Sequence, residues 1–439
     1  MIYAENLEQL QEVIRTAAAN GKGLVPVSSG APHIHGASEN TSAETVSFEK
    51  MDRILKTDRR NRYARVEAGV TFGQLLPEME KAGLRLNHPF LPRADKSVTA
   101  SMLEREGVMV PKYQYDYTDP LLTVEVVYGT GEVFRTGSAA GPGSPEELTA
   151  DMVCPWGPGS IDFLRFLCGA QGTMGFVTWA TLKAEVKPAQ SKLFFVESET
   201  AEPLTKLVNE LTLQRIPDDC IILNAVNFGA AFGKDEADAK TLREKAAPWT
   251  LICRISGYER YPEERIGIYT GYLKDTCAAA GLRALESPSA LPDIAAAVDA
   301  RISDCDRSET YWKMRRGGCR EILFLAPPSK TPALVALMEK ELAALPAELR
   351  GITLQPQVQG RAFRVECDCF YAAAEQEKTL AVCAAAEKAL FAAGAYFDRP
   401  YGELPALVYA AQPEATEALR KVKAVFDPAG ILNRGKLCF

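Results

Sequence analysis

The chain has 439 residues, of which 47% are hydrophobic and 24% are charged, and its formal net charge at pH 7 is −7. This length is typical of two or three domain-sized units, and the composition is typical of folded globular proteins. The acidic balance argues against nucleic-acid binding, and no uncharged apolar stretch is long enough to predict a membrane span. Eleven cysteines without a recognisable secretory signal favour a cytoplasmic setting with mostly free thiols.

The first half of the sequence predicts short strands and helices separated by loops of small residues. Apolar residues at helical spacing from Leu7 to Ala17 predict a helix that ends at Gly21. A second helix is expected over residues 71–82, and residues 121–135 have the pattern of a β-hairpin. Further strands are predicted at residues 24–27, 45–48, 62–68 and 176–186, with a short helix at 161–168.

The composition changes at residues 188–191, and beyond this point longer helices alternate with strands. We predict helices over 204–213, 234–247, 259–280, 332–345, 375–393 and 413–425. We predict strands over 221–226, 250–255, 321–326 and 361–371. This pattern favours an α+β fold with two mixed layers and a boundary near residue 189.

The common nucleotide-binding and hydrolase signatures are absent. The sequence has no P-loop, no G-x-G-x-x-G after its first strand, no H-E-x-x-H and no G-x-S-x-G. Its three histidines, His33, His35 and His88, are too few for a histidine-rich metal site or an acyl-transfer triad. We therefore expect no metal, and we interpret the close pair Cys367 and Cys369 as buried thiols.

Three clusters of small residues in the first half carry the candidate chemistry. They are Ser28-Ser29-Gly30-Ala31, Ser97-Val98-Thr99-Ala100-Ser101 and the glycine-rich segment from Gly169 to Gly175. Small residues let the backbone approach a ligand closely and direct successive N–H groups at it, as a pyrophosphate requires. Each cluster alone is also compatible with an ordinary surface turn. Their order and their flanking sequences favour a shared cofactor site.

These flanking sequences resemble a known family. The resemblance lies in Val66-Glu67-Ala68-Gly69-Val70-Thr71, in residues 122–137, in 157–162 with 169–178, and in 427–436. These segments are similar to motifs of the vanillyl-alcohol oxidase / para-cresol methylhydroxylase family of FAD-binding flavoproteins, and the resemblance extends over about the whole chain. It implies a two-part FAD-binding domain at 1–188, a covering α+β cap or substrate domain at 189–394, and a C-terminal segment at 395–439 that returns to the FAD domain.

The resemblance implies that FAD is the cofactor and indicates which residues bind it. The implied residues are Val27, Ser28, Ser29, Gly30, Ala31, Ser97, Thr99, Ser101, Gly169, Gly172, Thr173, Gly175, Val177 and Asn433. The chain departs from the family at Ser28-Ser29 and Ala100-Ser101, where glycines are common. His33 is the one plausible attachment point for a covalent flavin, and we expect non-covalent FAD.

The resemblance also implies that the substrate lies between the flavin and the cap domain. Arg399 matches an arginine of a phenolate-binding pair in aromatic-alcohol members, whereas Asp398 stands where those members have a tyrosine. An arginine here can hold a phenolate or a carboxylate, or form an ion pair with a neighbouring side chain. We expect Arg399, Tyr115 and Asp398 at the catalytic site, and Tyr115, Asp116 and Asp398 are candidates for the group that activates the hydroxyl.

Three functions remain open from the sequence. The first is an FAD-dependent oxidase or dehydrogenase that transfers a hydride from an alcohol or alkylphenol-type aromatic substrate to flavin. The second is an FAD-linked D-2-hydroxy-acid dehydrogenase of the glycolate or lactate type, in which Arg399 or Arg316 binds the carboxylate. The third is a flavin subunit of a larger electron-transfer complex.

The expected partners are a small-molecule substrate and an electron acceptor. The acceptor is open among oxygen, a quinone, a cytochrome and a partner flavoprotein. A homodimer or a complex subunit is an open alternative for the assembly. We expect no nucleic acid and no membrane span.

Overall fold

A computed structural model describes residues 1–30, 43–148, 150, 152–154, 156–157 and 161–439. The strands in these residues are β1 (Ile2–Tyr3), β2 (Leu24–Val27), β3 (Glu44–Ser47), β4 (Ile54–Asp58), β5 (Tyr63–Glu67), β6 (Leu84–Leu86), β7 (Leu121–Val127), β8 (Val133–Arg135), β9 (Phe176–Val186), β10 (Gln190–Ser198), β11 (Cys220–Asn224), β12 (Trp249–Gly257), β13 (Gly318–Ala326), β14 (Arg350–Gln357) and β15 (Ala362–Tyr371). The α-helices are α1 (Leu7–Asn20), α2 (Phe72–Lys81), α3 (Val98–Leu103), α4 (Phe163–Leu167), α5 (Ala201–Leu213), α6 (Ala225–Phe232), α7 (Glu236–Lys245), α8 (Pro262–Ala279), α9 (Ala295–Ile302), α10 (Thr331–Glu341), α11 (Gln376–Ala392), α12 (Leu404–Ala410) and α13 (Pro413–Phe426).

Local capping explains where the first two predicted helices begin and end. The Asn6 side chain accepts a hydrogen bond from the Gln9 N–H at the start of α1, and Gly21 ends this helix with a φ of 63°. Thr71 and Gln74 form a reciprocal capping box at the start of α2. Side-chain oxygens at these positions satisfy N–H groups that have no partner within the helix, and glycine adopts the left-handed turn without steric cost.

The strands of the first half form two sheets. β1, β3 and β2 make a small parallel sheet, and Leu24 in β2 also bridges to Leu432 near the end of the chain. The larger sheet has the order β4-β5-β9-β7-β8, with β6 paired to β9. The hairpin predicted at residues 121–135 is formed by β7 and β8. The end of the chain therefore lies beside the start of β2.

The second half contributes one six-stranded antiparallel sheet in the order β10-β12-β11-β14-β15-β13. Successive side chains of a strand point to opposite faces, so each strand presents two different surfaces. In β15 one surface carries Val365, Cys367 and Cys369, which lie in an apolar core with helices α5, α8, α10 and α11. The opposite surface carries Glu366 and Asp368, and this polar face is the one that meets the first half of the chain.

The structure corrects one element of the expected cofactor site. The cluster at residues 97–101 is expected to be a loop beside a strand, but it is the first turn of α3. Ser97 is the N-cap, and its Oγ accepts a hydrogen bond from the Ala100 N–H at 3.1 Å. Serine is favoured at this position because its hydroxyl accepts a hydrogen bond from an N–H group of the first turn that has no carbonyl partner within the helix. The pattern also fails to predict β4, β6, β10, β14, α6, α9 and α12, which are short or lack a clear period.

All eleven cysteines are free thiols. The Cys367 and Cys369 sulfur atoms lie 3.9 Å apart and are buried, which agrees with the sequence interpretation.

Candidate active site

A continuous cleft separates the small-residue loops from the polar face of the second sheet. One part, here called the small-residue cleft, is lined by residues that include Ser28, Ala68, Thr99, Gly172 and Val177. The other part, here called the charged cavity, has an empty volume of about 1170 Å³ including its opening to solvent. The two parts share lining residues: Pro26, Ser28, Ala100 and Glu104.

Serine hydroxyls bring the first two small-residue clusters together. Ser29 Oγ accepts a hydrogen bond from the Ser97 N–H at 2.8 Å, and Ser97 Oγ donates to the Ala68 carbonyl at 2.6 Å. All three residues are buried. Ser29, one of the residues at which the chain departs from the family, is therefore a structural link between the first two clusters.

The glycine-rich turn completes the wall from the other side. Gly172 has a φ of +71°, and a Cβ at this position would lie 2.3 Å from Pro26 Cγ. The adjacent Gln171 carbonyl accepts a hydrogen bond from Asn433 Nδ2 at 2.7 Å, while Gln171 Nε2 donates to the Pro400 carbonyl. The turn thus lies in contact with β2, the chain end and the segment that carries Arg399. Glycine is required at position 172 because a side chain there would collide with β2.

Thr99 provides the test of whether a ligand fits the small-residue cleft. Thr99 lines this cleft, and its Oγ1 atom is buried without a hydrogen-bond partner among the residues that the structure describes. Leaving a buried hydroxyl unpaired costs roughly 1–3 kcal/mol, so native proteins normally satisfy such groups. A polar ligand in the cleft would supply the missing partner, and the narrow walls of Ser28, Gly172 and Val177 fit an elongated group such as FAD.

Charged side chains line the wall of the charged cavity that lies on the side of the small-residue loops. Arg399 Nη2 lies 3.3 Å from Glu104 Oε2 and 3.6 Å from Glu106 Oε1, and Glu106 also pairs with Lys96. Burial alone would raise the pKa of Glu106, but Lys96 and Arg399 lower it to about 2. Arg93, on the same wall, pairs with Asp95. This wall therefore carries three cations and two partly buried carboxylates.

The opposite wall belongs to the second sheet and is built around Lys313. Its Nζ lies 2.5 Å from Glu321 Oε1, 2.5 Å from Glu366 Oε1 and 2.9 Å from Asp368 Oδ1. Although burial alone would lower it, these carboxylates hold the pKa of the Lys313 ammonium well above its usual range. Burial raises the pKa of Asp368 to about 7; Lys313 opposes the rise, and the adjacent Glu366 and Glu321 add to it. Lys313, Glu321, Glu366 and Asp368 are called the lysine–carboxylate cluster below.

Comparison with known proteins decides the cofactor. Residues 1–137 match the family described as FAD binding domain, and residues 401–437 match FAD linked oxidases, C-terminal domain. The chain is an FAD-linked oxidoreductase. The first matching segment lines the cleft with residues that include 26–29 and 99–100. The second supports the cleft through the hydrogen bond from Asn433 Nδ2 to the carbonyl of the lining residue Gln171.

Relatives of this FAD-linked oxidoreductase differ in their substrates. The chain is 28% identical to 1'-carboxy-chondrochloren decarboxylase of Chondromyces crocatus over 247 residues, which are 53% of the chain and 43% of that protein. It is 23% identical to D-2-hydroxyglutarate dehydrogenase of Stutzerimonas stutzeri over 477 aligned positions, covering 100% of the chain and 90% of that protein. The fold is similar to that of p-cresol methylhydroxylase with substrate bound, with a TM-score of 0.82, 18% identity, and coverage of 100% of this chain and 88% of that one.

The expected cofactor residues of the oxidoreductase fall into two groups. Seven line the cleft or the cavity: Val27, Ser28, Ser29, Thr99, Gly172, Gly175 and Val177. Six others support the walls: Gly30, Ser97, Ser101, Gly169, Thr173 and Asn433. Ala31 and His33 lie outside the described residues. The direct cofactor contacts of all these residues stay predictions.

The structure brings one of the three expected catalytic residues to the cavity. Arg399 lines the charged cavity, where Glu104 and Glu106 already pair with it. Asp398 instead forms a buried two-point ion pair with Arg364, at 2.9 and 3.3 Å, and does not line this cavity. Tyr115 is 73% exposed and also lies elsewhere. The geometry gives Asp398 a structural role and gives Tyr115 no contact with the cavity.

The two remaining candidates are also engaged away from the cavity. Asp116 pairs with Arg165 at 2.5 Å, and Arg316 pairs with Glu236 at 2.7 Å. Neither lines the charged cavity. A carboxylate-binding role for Arg316 therefore has no support in the position of its side chain.

Sequence reasoning misses the lysine–carboxylate cluster. The signal is present in β15, a correctly predicted strand in which Arg364, Glu366 and Asp368 alternate with apolar residues. Charged residues at every second position mark the face of a strand that does not enter an apolar core. Lys313 could not be associated with them from the sequence, because it lies in a different segment and reaches the sheet only in the fold.

His88 is buried, its Nδ1 lies 2.7 Å from the Pro89 carbonyl oxygen, and burial lowers its pKa. In the part of the chain that the structure describes, none of the helices combines the length and apolar character needed to cross a bilayer.

Proposed function

We propose that the chain oxidises an alcohol or alkylphenol-type aromatic substrate, which binds in the charged cavity between the FAD-binding loops and the second sheet. The observation that carries this proposal is the position of Glu366. This partly buried carboxylate lines the cavity from the sheet opposite the small-residue cleft. We also propose that residues 1–188, 189–394 and 395–439 are the FAD-binding domain, the substrate domain and the returning segment.

FAD supplies the hydride acceptor for this chemistry when bound. The small-residue cleft would hold its extended part, with Thr99 Oγ1 as one hydrogen-bonding group. Lys96, Arg93 and Arg399 provide positive charge on the FAD-domain wall, which stabilises negative charge on a bound flavin. Glu104 and Glu106 hold Arg399 in place.

Glu366 is the group that we propose to accept the proton of the substrate hydroxyl. A general base must lie within hydrogen-bond reach of the substrate and must be ionised when the substrate binds. The Lys313 ammonium lies 2.5 Å from Glu366 Oε1 and holds this carboxylate at the cavity wall. Glu321 and Asp368 position that ammonium, since both contact the same Nζ.

A D-2-hydroxy-acid dehydrogenase is the second candidate, and it is supported by similarity to a D-2-hydroxyglutarate dehydrogenase over the whole chain. The structural similarity to p-cresol methylhydroxylase supports the first candidate. Either candidate can operate in a larger complex, with oxygen, a quinone, a cytochrome or another flavoprotein as the electron acceptor.

Anaerobic reduction of the bound flavin tests the proposal. The holoenzyme is mixed with para-hydroxybenzyl alcohol, an alkylphenol, D-lactate or D-2-hydroxyglutarate, and the flavin absorbance is followed. We expect bleaching by an aromatic substrate and at least a hundredfold slower bleaching in Glu366→Gln, because removal of a general base commonly costs this much. Bleaching by the hydroxy acids alone would contradict the proposal. Glu377→Gln, an exposed substitution in the same half of the chain, is the matched control.

A further inference from the structure

Every lysine and arginine that lines the charged cavity already has a carboxylate partner among the described residues. Arg93 pairs with Asp95, and Lys96 pairs with Glu106. Arg399 pairs with Glu104 and Glu106, and Lys313 pairs with three carboxylates. A substrate carboxylate that entered the cavity would therefore have to compete with a carboxylate of the protein for any of these cations.

The charges are also divided unequally between the two walls. Among the side chains that line the cavity, the wall on the side of the FAD loops has Arg93, Lys96 and Arg399 against Glu104 and Glu106. The sheet wall has Lys313 against Glu321 of β13 and Glu366 of β15. Asp95 and Asp368, which pair with Arg93 and Lys313, do not line the cavity. The cationic side of the cavity is thus the side of the FAD loops, and the substrate side is anionic.

We propose that the lysine–carboxylate cluster determines substrate specificity by charge: Glu366 and Glu321 admit substrates without a carboxylate and exclude 2-hydroxy acids. This inference rests on the proposed function, because it places the substrate against the sheet wall. It distinguishes the two candidate substrate classes by the negative charge of the sheet wall of the cavity.

Two physical terms act together in this exclusion. The Glu366 carboxylate repels a substrate carboxylate that lies beside it. At an effective dielectric constant of about 20, two unit charges about 6 Å apart interact strongly enough to weaken binding by about tenfold to a hundredfold. The carboxylate also loses water without gaining a free cation in return. A neutral hydroxyl has neither penalty and can donate a hydrogen bond to the Glu366 carboxylate.

Isosteric ligand pairs that differ only in charge test the inference by binding and need no turnover. The pairs are para-hydroxybenzamide with para-hydroxybenzoate, and lactamide with D-lactate. Each is titrated into the FAD-loaded protein at about pH 8, and dissociation constants are read from the perturbed flavin spectrum and from calorimetry. In the wild-type protein we expect the amide to bind at least about tenfold more tightly than its carboxylate partner.

Glu366→Gln is expected to reduce this ratio to less than about threefold, mainly by improving carboxylate binding, and Glu321→Gln is expected to act in the same direction. Glu377→Gln should leave the ratio unchanged. Equal or tighter binding of the carboxylates by the wild-type protein would overturn the inference, and so would a ratio that Glu366→Gln and Glu321→Gln leave unaltered. If FAD is bound but none of the four ligands changes its spectrum, both the proposed substrate site and the inference about charge are wrong. If only the carboxylates bind, the cavity is a substrate site but does not exclude carboxylates, and only the inference about charge is wrong.

Discussion

Gly172→Ala is the substitution that most directly tests the wall of the cofactor cleft. Gly172 has a φ of +71°, and an alanine Cβ would lie 2.3 Å from Pro26 Cγ and 2.9 Å from Pro26 Cδ. A non-glycine residue in the left-handed region costs about 1–2 kcal/mol, and overpacking of a close contact costs about 1–3 kcal/mol more. We therefore expect the free energy of unfolding to fall by about 2–5 kcal/mol.

The same substitution should weaken FAD binding, because Pro26 lines both parts of the cleft and must move to relieve the contact. Urea unfolding of the FAD-free protein measures the stability, and quenching of FAD fluorescence measures the affinity. Gly281→Ala is the matched control, since Gly281 also has a φ of +71° but an alanine Cβ there would have no neighbouring atom within 4 Å. The control should lose only the backbone contribution, about 1–2 kcal/mol, and should bind FAD normally. Equal losses of stability in the two variants, with equal FAD affinity, would refute the close approach of the turn to β2.

Three further predictions follow from buried polar groups. Thr99→Val should leave the FAD-free protein as stable as before or slightly more stable, and it should weaken FAD binding by about tenfold. The control Thr331→Val removes a hydroxyl that donates to the Pro327 carbonyl, so it should lower stability without changing FAD affinity. An unchanged FAD affinity in Thr99→Val would show that this hydroxyl does not contact the cofactor. Asp398→Asn should lower the free energy of unfolding by about 3–5 kcal/mol because it leaves Arg364 charged and buried; loss of flavin reduction with full stability would instead restore Asp398 as a catalytic candidate. The pKa of Glu106 is lowered from 4.5 to about 2 in the folded protein. The ionised carboxylate therefore contributes about 3 kcal/mol to the free energy of unfolding above pH 4.5, and this contribution is lost as the pH falls toward 2. Between about pH 7 and pH 3 the wild-type protein should therefore lose about 2 kcal/mol more stability than Glu106→Gln, and parallel pH profiles from urea unfolding would contradict the assignment.

The sequence predicts most local structure in this chain because caps, periodicity and turn residues are local signals. Thr71 and Gly83 bracket α2, and the glycines at 129 and 131 connect β7 to β8. Residues 97–101 are predicted to form a loop, and this prediction is wrong because the same small residues are common both in loops and at helix N-termini. In the structure, the hydrogen bond from the Ala100 N–H to Ser97 Oγ identifies the segment as the start of a helix.

The candidate site is predictable only in part, because its charged groups are paired across long sequence separations. Arg399 is expected at the cavity and lies there, but its partners Glu104 and Glu106 come from the first half of the chain. Asp398, its neighbour in sequence, points to Arg364 instead. The cluster around Lys313 depends on the register of β13 and β15, which places Glu321 opposite Asp368. Such register is set by tertiary pairing, and local patterns do not contain it.

We expect the cleft between the small-residue loops and the second sheet to bind FAD. The most direct measurement is the absorbance spectrum of the purified protein, followed by denaturation and chromatographic identification of any released cofactor. We predict flavin absorption bands, release of FAD on denaturation, and uptake of added FAD by the cofactor-free protein that is weakened in Gly172→Ala and Thr99→Val. A protein without flavin bands that also fails to take up FAD would contradict this claim.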